Sequence, residues 1–145
     1  MTVALPLPAP DLCNAMVARR FARKVTQVYD DALGEHGLTI GQFGILGNLR
    51  RATPIGVGAL AERLSSDAST LSRLLKPLAA AGLISIGRDA DDGRAKAIRL
   101  TDAGRERVLA AKEAWTTAQR HMAERLGSER LAALRFILND AYTLL

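Results

Sequence analysis

Ser69, Thr70, Ser72, Arg73 and Lys76 place three hydroxyls, a guanidinium and an ammonium within eight residues, about two turns of helix. These groups suit an oxygen-rich anion: a guanidinium can meet two acceptors at once, an ammonium acts as a point charge, and hydroxyls donate or accept. A second basic set follows at Arg88, Arg94, Lys96 and Arg99, with Asp91 and Asp92 just ahead of Arg94. Asp92 could orient Arg94 through a charge-assisted hydrogen bond. The single cysteine, Cys13, is a third candidate. Near a helix start its thiolate would gain from free backbone N–H groups, and from Arg19 or Arg20 if they fold over it; the plainer reading is a buried, inert thiol. Other chemistry is sparse. His36 adjoins Gly37 at an expected helix end and His121 lies among Gln119, Arg120 and Glu124, far away in sequence. Without nearby cysteines, carboxylates paired at helical spacing or a phosphate-cradling glycine loop, no metal, cofactor or catalytic site is expected.

The elements that must carry these groups are marked in the chain. Leu71, Leu74, Leu75 and Leu78 recur at i, i+3, i+4 and i+7, which predicts a helix over 67–81 with one buried stripe and with Ser69, Ser72, Arg73 and Lys76 outward. Ser66 or Asp67 can cap its start, and Gly82 supplies the left-handed residue at its end. Pro77 lies inside it, where a missing N–H and a clash cost about 3 kcal/mol and predict a kink near Arg73. Leu83 to Arg88 and Ala95 to Leu100 then alternate as strands around a polar turn, a two-stranded hairpin that must pack against helices to persist. Thr101 caps the next helix, with Gly104 allowing close approach. A helix, a ribbon and a new helix with basic residues at both tips form a winged helix-turn-helix.

The remaining periodicity predicts helices near 11–35, 40–51, 56–64, 102–126 and 128–143, and no other strand. The fold class is thus mainly α with a small β-wing: six helices plus the hairpin. At 145 residues and 48% hydrophobic the chain is one domain with a sizeable core and no membrane-spanning run. Residues 1–10 hold three prolines and no charged leader, which reads as a loose arm and not a signal peptide, so a cytoplasmic location is expected. The formal charge of +5, from 20 basic and 15 acidic residues, is compatible with a polyanionic partner. The 102–126 helix would run about 37 Å, too long for its neighbours to cover fully. On it Val108, Trp115 and Met122 recur at seven-residue steps, with Ala111, Ala118 and Arg125 between, a seam suited to a second helix. The last helix adds Leu131, Leu134, Ile137, Leu138, Leu144 and Leu145, apolar surface that suggests a partner subunit.

Ala81-Gly82-Leu83-Ile84, Arg88-Asp89, Asp91-Asp92-Gly93-Arg94 and Leu100-Thr101-Asp102-Ala103-Gly104 occur in an order and spacing that resembles the MarR family of bacterial transcription regulators. Gly37-Leu38-Thr39, Gln42-Phe43 and Ile45-Leu46 look like the family's second helix, so the resemblance runs from about residue 11 to the C-terminus. It divides the 11–145 domain into a winged helix-turn-helix at about 39–100 and dimerisation helices at about 11–35 and 102–145.

The resemblance implies a homodimer whose terminal helices intertwine, double-stranded DNA as partner, and a pseudo-palindromic target with half-sites roughly 10 bp apart. Helix 67–81 would enter the major groove, with Arg73 bidentate to guanine, Ser69, Thr70 and Ser72 at bases or phosphates, and Lys76 on phosphate. Arg94 would reach a narrow minor groove from the wing tip, supported by Asp92, while Arg88, Lys96 and Arg99 meet phosphates. By residue type alone, a solvated helix face is the better reading of Arg73 and Lys76, which the family placement reverses; an ordinary polar turn is the lesser alternative for the Asp91 to Arg94 segment. The resemblance also implies a repressor released by a small aromatic or anionic effector bound between the dimer helices and the winged lobe. Arg19, Arg20, Arg23 and Arg50 are candidates for the anion, and Trp115 for core packing or a pocket wall. Two alternatives stand beside that function. The organic-hydroperoxide-sensing branch of the family carries a lone cysteine like Cys13, although Val17 and Gln27 replace the tyrosines expected after it and Tyr29 is two residues late. A dimeric ligand-binding or protein-interaction module without DNA recognition is the other.

Overall fold

Capping and apolar spacing together decide where the helices begin and end. In the computed structural model, which describes residues 10–50, 52–88, 93 and 95–145, six helices and three strands follow one another: α1 Asn14–Leu33, α2 Ile40–Asn48, β1 Ile55–Gly56, α3 Val57–Arg63, α4 Ala68–Ala80, β2 Ile84–Arg88, β3 Lys96–Leu100, α5 Asp102–Leu126 and α6 Ser128–Leu144. Single 3₁₀ turns at Pro10–Leu12 and Gly34–His36 flank α1, so the helix expected over 11–35 is shorter than its periodicity suggested. The arm at 1–9 lies outside the described residues.

The hairpin carries one strand more than expected. Ile55 and Gly56, assigned from sequence to the approach and start of a helix, pair antiparallel with Ile98 and Ala97, giving the sheet order β1-β3-β2. A two-residue strand has no periodicity to read; the free edge of β3 recruits it. β2 and β3 pair from Ile84 opposite Leu100 to Arg88 opposite Lys96.

Leu33, Leu38, Ile45, Leu46, Leu49, Leu60, Leu71, Leu75, Leu78 and Ile98 form the centre of one core between the helix-turn-helix and the sheet. Leu74, expected on the buried stripe of α4, is only half-buried at its margin. α5 supplies Ala111 to the same core. Its small residues Ala111 and Ala118 are buried where it lies along α1, and Trp115 and Val108 turn towards the core. The seven-residue seam on α5 is therefore taken up largely by the chain's own helices. Most of the exposed large apolar side chains lie on the outer surface of α6 and at the start of α1: Phe136, Ile137, Leu138, Tyr142 and Leu144 on one, Leu12, Met16 and Val17 beside the other. Among the described residues no helix is long and apolar enough to cross a membrane.

Candidate nucleic-acid interface

α4 starts where Asp67 Oδ1 accepts the Thr70 amide at 2.7 Å, and the Thr70 hydroxyl donates to Oδ2 of the same carboxylate, also at 2.7 Å. These bonds, the backbone one first, hold the Asp67 carboxyl below its ordinary range. They also restrict Thr70. Its hydroxyl is exposed, but the proton is committed within the helix, so Thr70 offers a ligand lone pairs where Ser69 and Ser72 can still donate. As placed, it cannot donate to phosphate.

Ser69, Ser72, Arg73 and Lys76 are all exposed, and at i, i+3, i+4 and i+7 they occupy the helix face opposite the leucine stripe. α4 runs as one continuous helix from Ala68 to Ala80 with Pro77 inside it. It ends as expected: Gly82 adopts φ +72°, its amide donates to Ala79 O at 3.0 Å and the Leu83 amide to Leu78 O at 3.0 Å.

On the wing, Arg88 and Lys96 are both exposed and occupy directly opposed positions at the end of the β2–β3 ladder nearest the connecting loop. Arg99, opposite Ser85, reaches back so that its Nη1 donates to Ala52 O at 3.2 Å, which ties it to the segment before β1. Asp91, Asp92 and Arg94 lie outside the described residues.

The lobe, α1 and α5 are joined to one another at several points. Phe43 of α2 stacks on Trp115 of α5 with ring centroids 6.1 Å apart and planes at 20°, so Trp115 serves the packing role. Arg107 Nη1 donates to the His36 carbonyl at 3.1 Å, and the Ile40 amide donates to Asp30 Oδ1 at 2.7 Å. Tyr29 donates its hydroxyl proton to Gln119 Oε1 at 2.7 Å; burial pushes its pKa up, against the opposing effect of the Arg135 charge. None of these pairings has a local sequence signature, since the partners are brought together only by packing.

Of the four arginines considered for an anionic effector, Arg50 is occupied locally. Its Nη1 donates to Gly47 O at 3.3 Å and Leu49 O at 3.0 Å, closing the C-terminus of α2. Arg63, which sequence reasoning passed over, assists by donating to Asn48 O at 3.3 Å. Its place in the last turn of α3 was the available clue. Arg19, Arg20 and Arg23 are exposed on α1, Arg20 and Arg23 beside a groove that α6 completes with Leu134, Ile137 and Leu138. Cys13 is half-buried at the N-cap of α1 and makes no side-chain capping bond. Tyr29 lies 16 residues further along, about 24 Å up the axis at 1.5 Å per residue, with its hydroxyl committed to Gln119.

A helix-turn-helix that buries its leucines, leaves a polar and basic helix face free and continues into a basic β-ribbon defines a winged helix-turn-helix protein. The chain is similar to the MarR family. That family's model matches residues 36–95. The HTH-type transcriptional regulator TtmR of Methylorubrum extorquens strain PA1 is 37% identical over 94 residues, 65% of this chain and 47% of TtmR. The chain spans 47% to 61% of the length of the curated relatives it matches. The crystal structure of the M. tuberculosis transcriptional regulator MosR is similar at a TM-score of 0.77 and 29% identity, covering 94% of this chain and 100% of that one. S. aureus MepR, solved as a complex with DNA, shares the fold at a TM-score of 0.78 and 24% identity, covering 92% and 99%.

Proposed function

We propose that this protein is a homodimeric, sequence-specific DNA-binding transcriptional regulator, a repressor whose hold on a pseudo-palindromic operator is weakened by a small aromatic or anionic effector. The observation that carries the reading is the outward face of α4, where Ser69, Ser72, Arg73 and Lys76 stand exposed opposite the buried Leu71, Leu75 and Leu78. The fold supports it, since MepR presents the same fold to DNA. In this reading α4 occupies the major groove, Arg73 reads guanine, Ser69 and Ser72 reach bases or phosphates, and Lys76 meets phosphate. Thr70 contributes as an acceptor. Arg88 and Lys96 bind the backbone beside the wing, and Arg94 with Asp92 acts at its tip.

Dimerisation through the terminal helices is supported by the apolar surface on α6 and the start of α1, including Phe136 at 71% and Leu144 at 78% exposure. Surface of this extent is what a permanent interface removes from water. The effector would reach Arg19, Arg20 or Arg23 on α1; Arg50 is committed to α2. Effector binding would populate a conformation with the wrong separation of the two α4 helices. The peroxide-sensing alternative at Cys13 draws no support from Tyr29, which lies far along α1 and bonds to Gln119.

The test is selection from random duplexes by the purified protein, followed by competition at physiological salt. A pseudo-palindrome with half-sites roughly 10 bp apart is expected. Arg73→Ala should then lose about 1–3 kcal/mol of discrimination at one base pair, and Lys76→Ala should weaken all duplexes alike. No enrichment over random DNA would reject the reading in favour of an interaction module that keeps the fold.

A further inference from the structure

α4 hands over to β2 and α5 through a compact set of backbone bonds that converge on Thr101. The Gly82 carbonyl, just past the end of α4, accepts the Thr101 hydroxyl proton at 2.6 Å. The same hydroxyl oxygen accepts the Gly104 amide at 3.0 Å, and the Thr101 amide donates to Leu83 O at 3.2 Å. A side chain at Gly104 would overlap that Leu83 carbonyl, so the approach depends on glycine. Capping α5 requires only that Thr101 accept the Gly104 amide. The donation to Gly82 is additional, and joins the last turn of the helix before the wing to the first turn of the helix after it.

We propose that Thr101 is a positioning residue: it locks α4 to α5, so that in the dimer the separation of the two α4 helices, and thus the permitted spacing of DNA half-sites, is dictated by the long helices. The inference rests on the dimeric DNA-binding reading above. The rest of the lobe is held to α5 independently, α2 by the Phe43–Trp115 stack and the α1–α2 turn by Arg107 on the His36 carbonyl. α4 packs on α2, α3 and β2, and the Thr101 cluster is where its C-terminus meets α5. Gly82 lacks a Cβ and tolerates a wide range of backbone angles, so it resists a change of direction only weakly by itself. Two half-sites bind as linked events, and the second is lost when geometry forbids simultaneous engagement. A helix free to pivot at Gly82 accepts several spacings; a helix bonded through Thr101 accepts one.

The experiment compares duplexes carrying the selected half-sites at the selected spacing and at one base pair more or less. Wild type should bind the altered spacings about a hundredfold more weakly, the loss expected when one half-site disengages. Thr101→Asp still accepts the Gly104 amide, as a good N-cap, but has no proton for Gly82. It should keep wild-type helicity and a cooperative thermal transition while its spacing discrimination falls below about tenfold. Thr101→Ser retains donor and acceptor and should restore discrimination. If the aspartate variant does not fold, Thr101→Gly serves in its place, since glycine costs a cap only a few tenths of a kcal/mol relative to threonine. Wild-type discrimination in the folded variant overturns the positioning role alone, as does a wild type indifferent to spacing. A wild type that binds no duplex overturns the DNA-binding reading and this inference with it.

Discussion

Arg88 and Lys96 face each other across the β2–β3 ladder, so the described part of the wing ends in two opposed cations. Like charges at directly paired positions oppose strand association, and a nearby anion relieves the repulsion.

That pair predicts a trade between stability and binding. Arg88→Glu places an anion opposite Lys96 and should raise folding stability by about 0.2–1 kcal/mol. The same change should weaken duplex binding and flatten the dependence of log K on log salt by about 0.9 for each phosphate that is no longer neutralised. Urea unfolding and a salt titration of duplex affinity read the two effects separately. Unchanged affinity and slope would remove Arg88 from the interface.

Gly104 predicts a reversal of the ordinary helix rule. In an open helical position alanine improves on glycine by up to about 1 kcal/mol, and Gly44, with nothing within 4 Å of where a Cβ would sit, should show that gain. Gly104→Ala should lose about 1–3 kcal/mol despite its better propensity, because the new methyl meets the Leu83 backbone carbonyl and Leu100 Cδ1. Urea midpoints of the two variants should therefore move in opposite directions.

Two side chains make stability depend on pH at opposite ends of the scale. The folded pKa of Asp67 is lowered by its bonds to Thr70, so its contribution is present above the unfolded value near 3.8 and is lost as pH falls through the lower folded value. Tyr29 is raised by burial, so its contribution is present below the unfolded value near 10.0 and is lost as pH rises through the higher folded one. Asp67→Asn should remove part of the acid-side slope and Tyr29→Phe part of the alkaline one, as measured by urea unfolding across pH.

Much of the winged lobe was legible because its signals are local. The leucine stripe from Leu71 to Leu78, the Asp67 and Thr101 caps and the positive-φ Gly82 each act within a few residues, and each is present, with Leu74 alone of the stripe only half-buried. The opposition of the two faces of α4 follows from the same helical period, so the exposure of Ser69, Ser72, Arg73 and Lys76 could be read directly. The two-residue strand at Ile55–Gly56 could not, because it exists only as the partner of Ile98 and Ala97.

By itself the amino-acid sequence determined the class of fold, the boundaries of α4 and its neighbours to within a few residues, and the polar face that α4 presents, all consequences of short-range periodicity and capping. Tertiary structure alone decided which apparently available groups were already committed across the fold: Tyr29 to Gln119, Trp115 to Phe43 and Thr101 to Gly82. It also decided that the seam on α5 is filled largely from within the chain while α6 keeps its apolar surface exposed. The physical reason is that hydrogen bonds and packing interactions are satisfied by whatever lies nearest in space, and for residues up to 90 positions apart that proximity is set by the folded core.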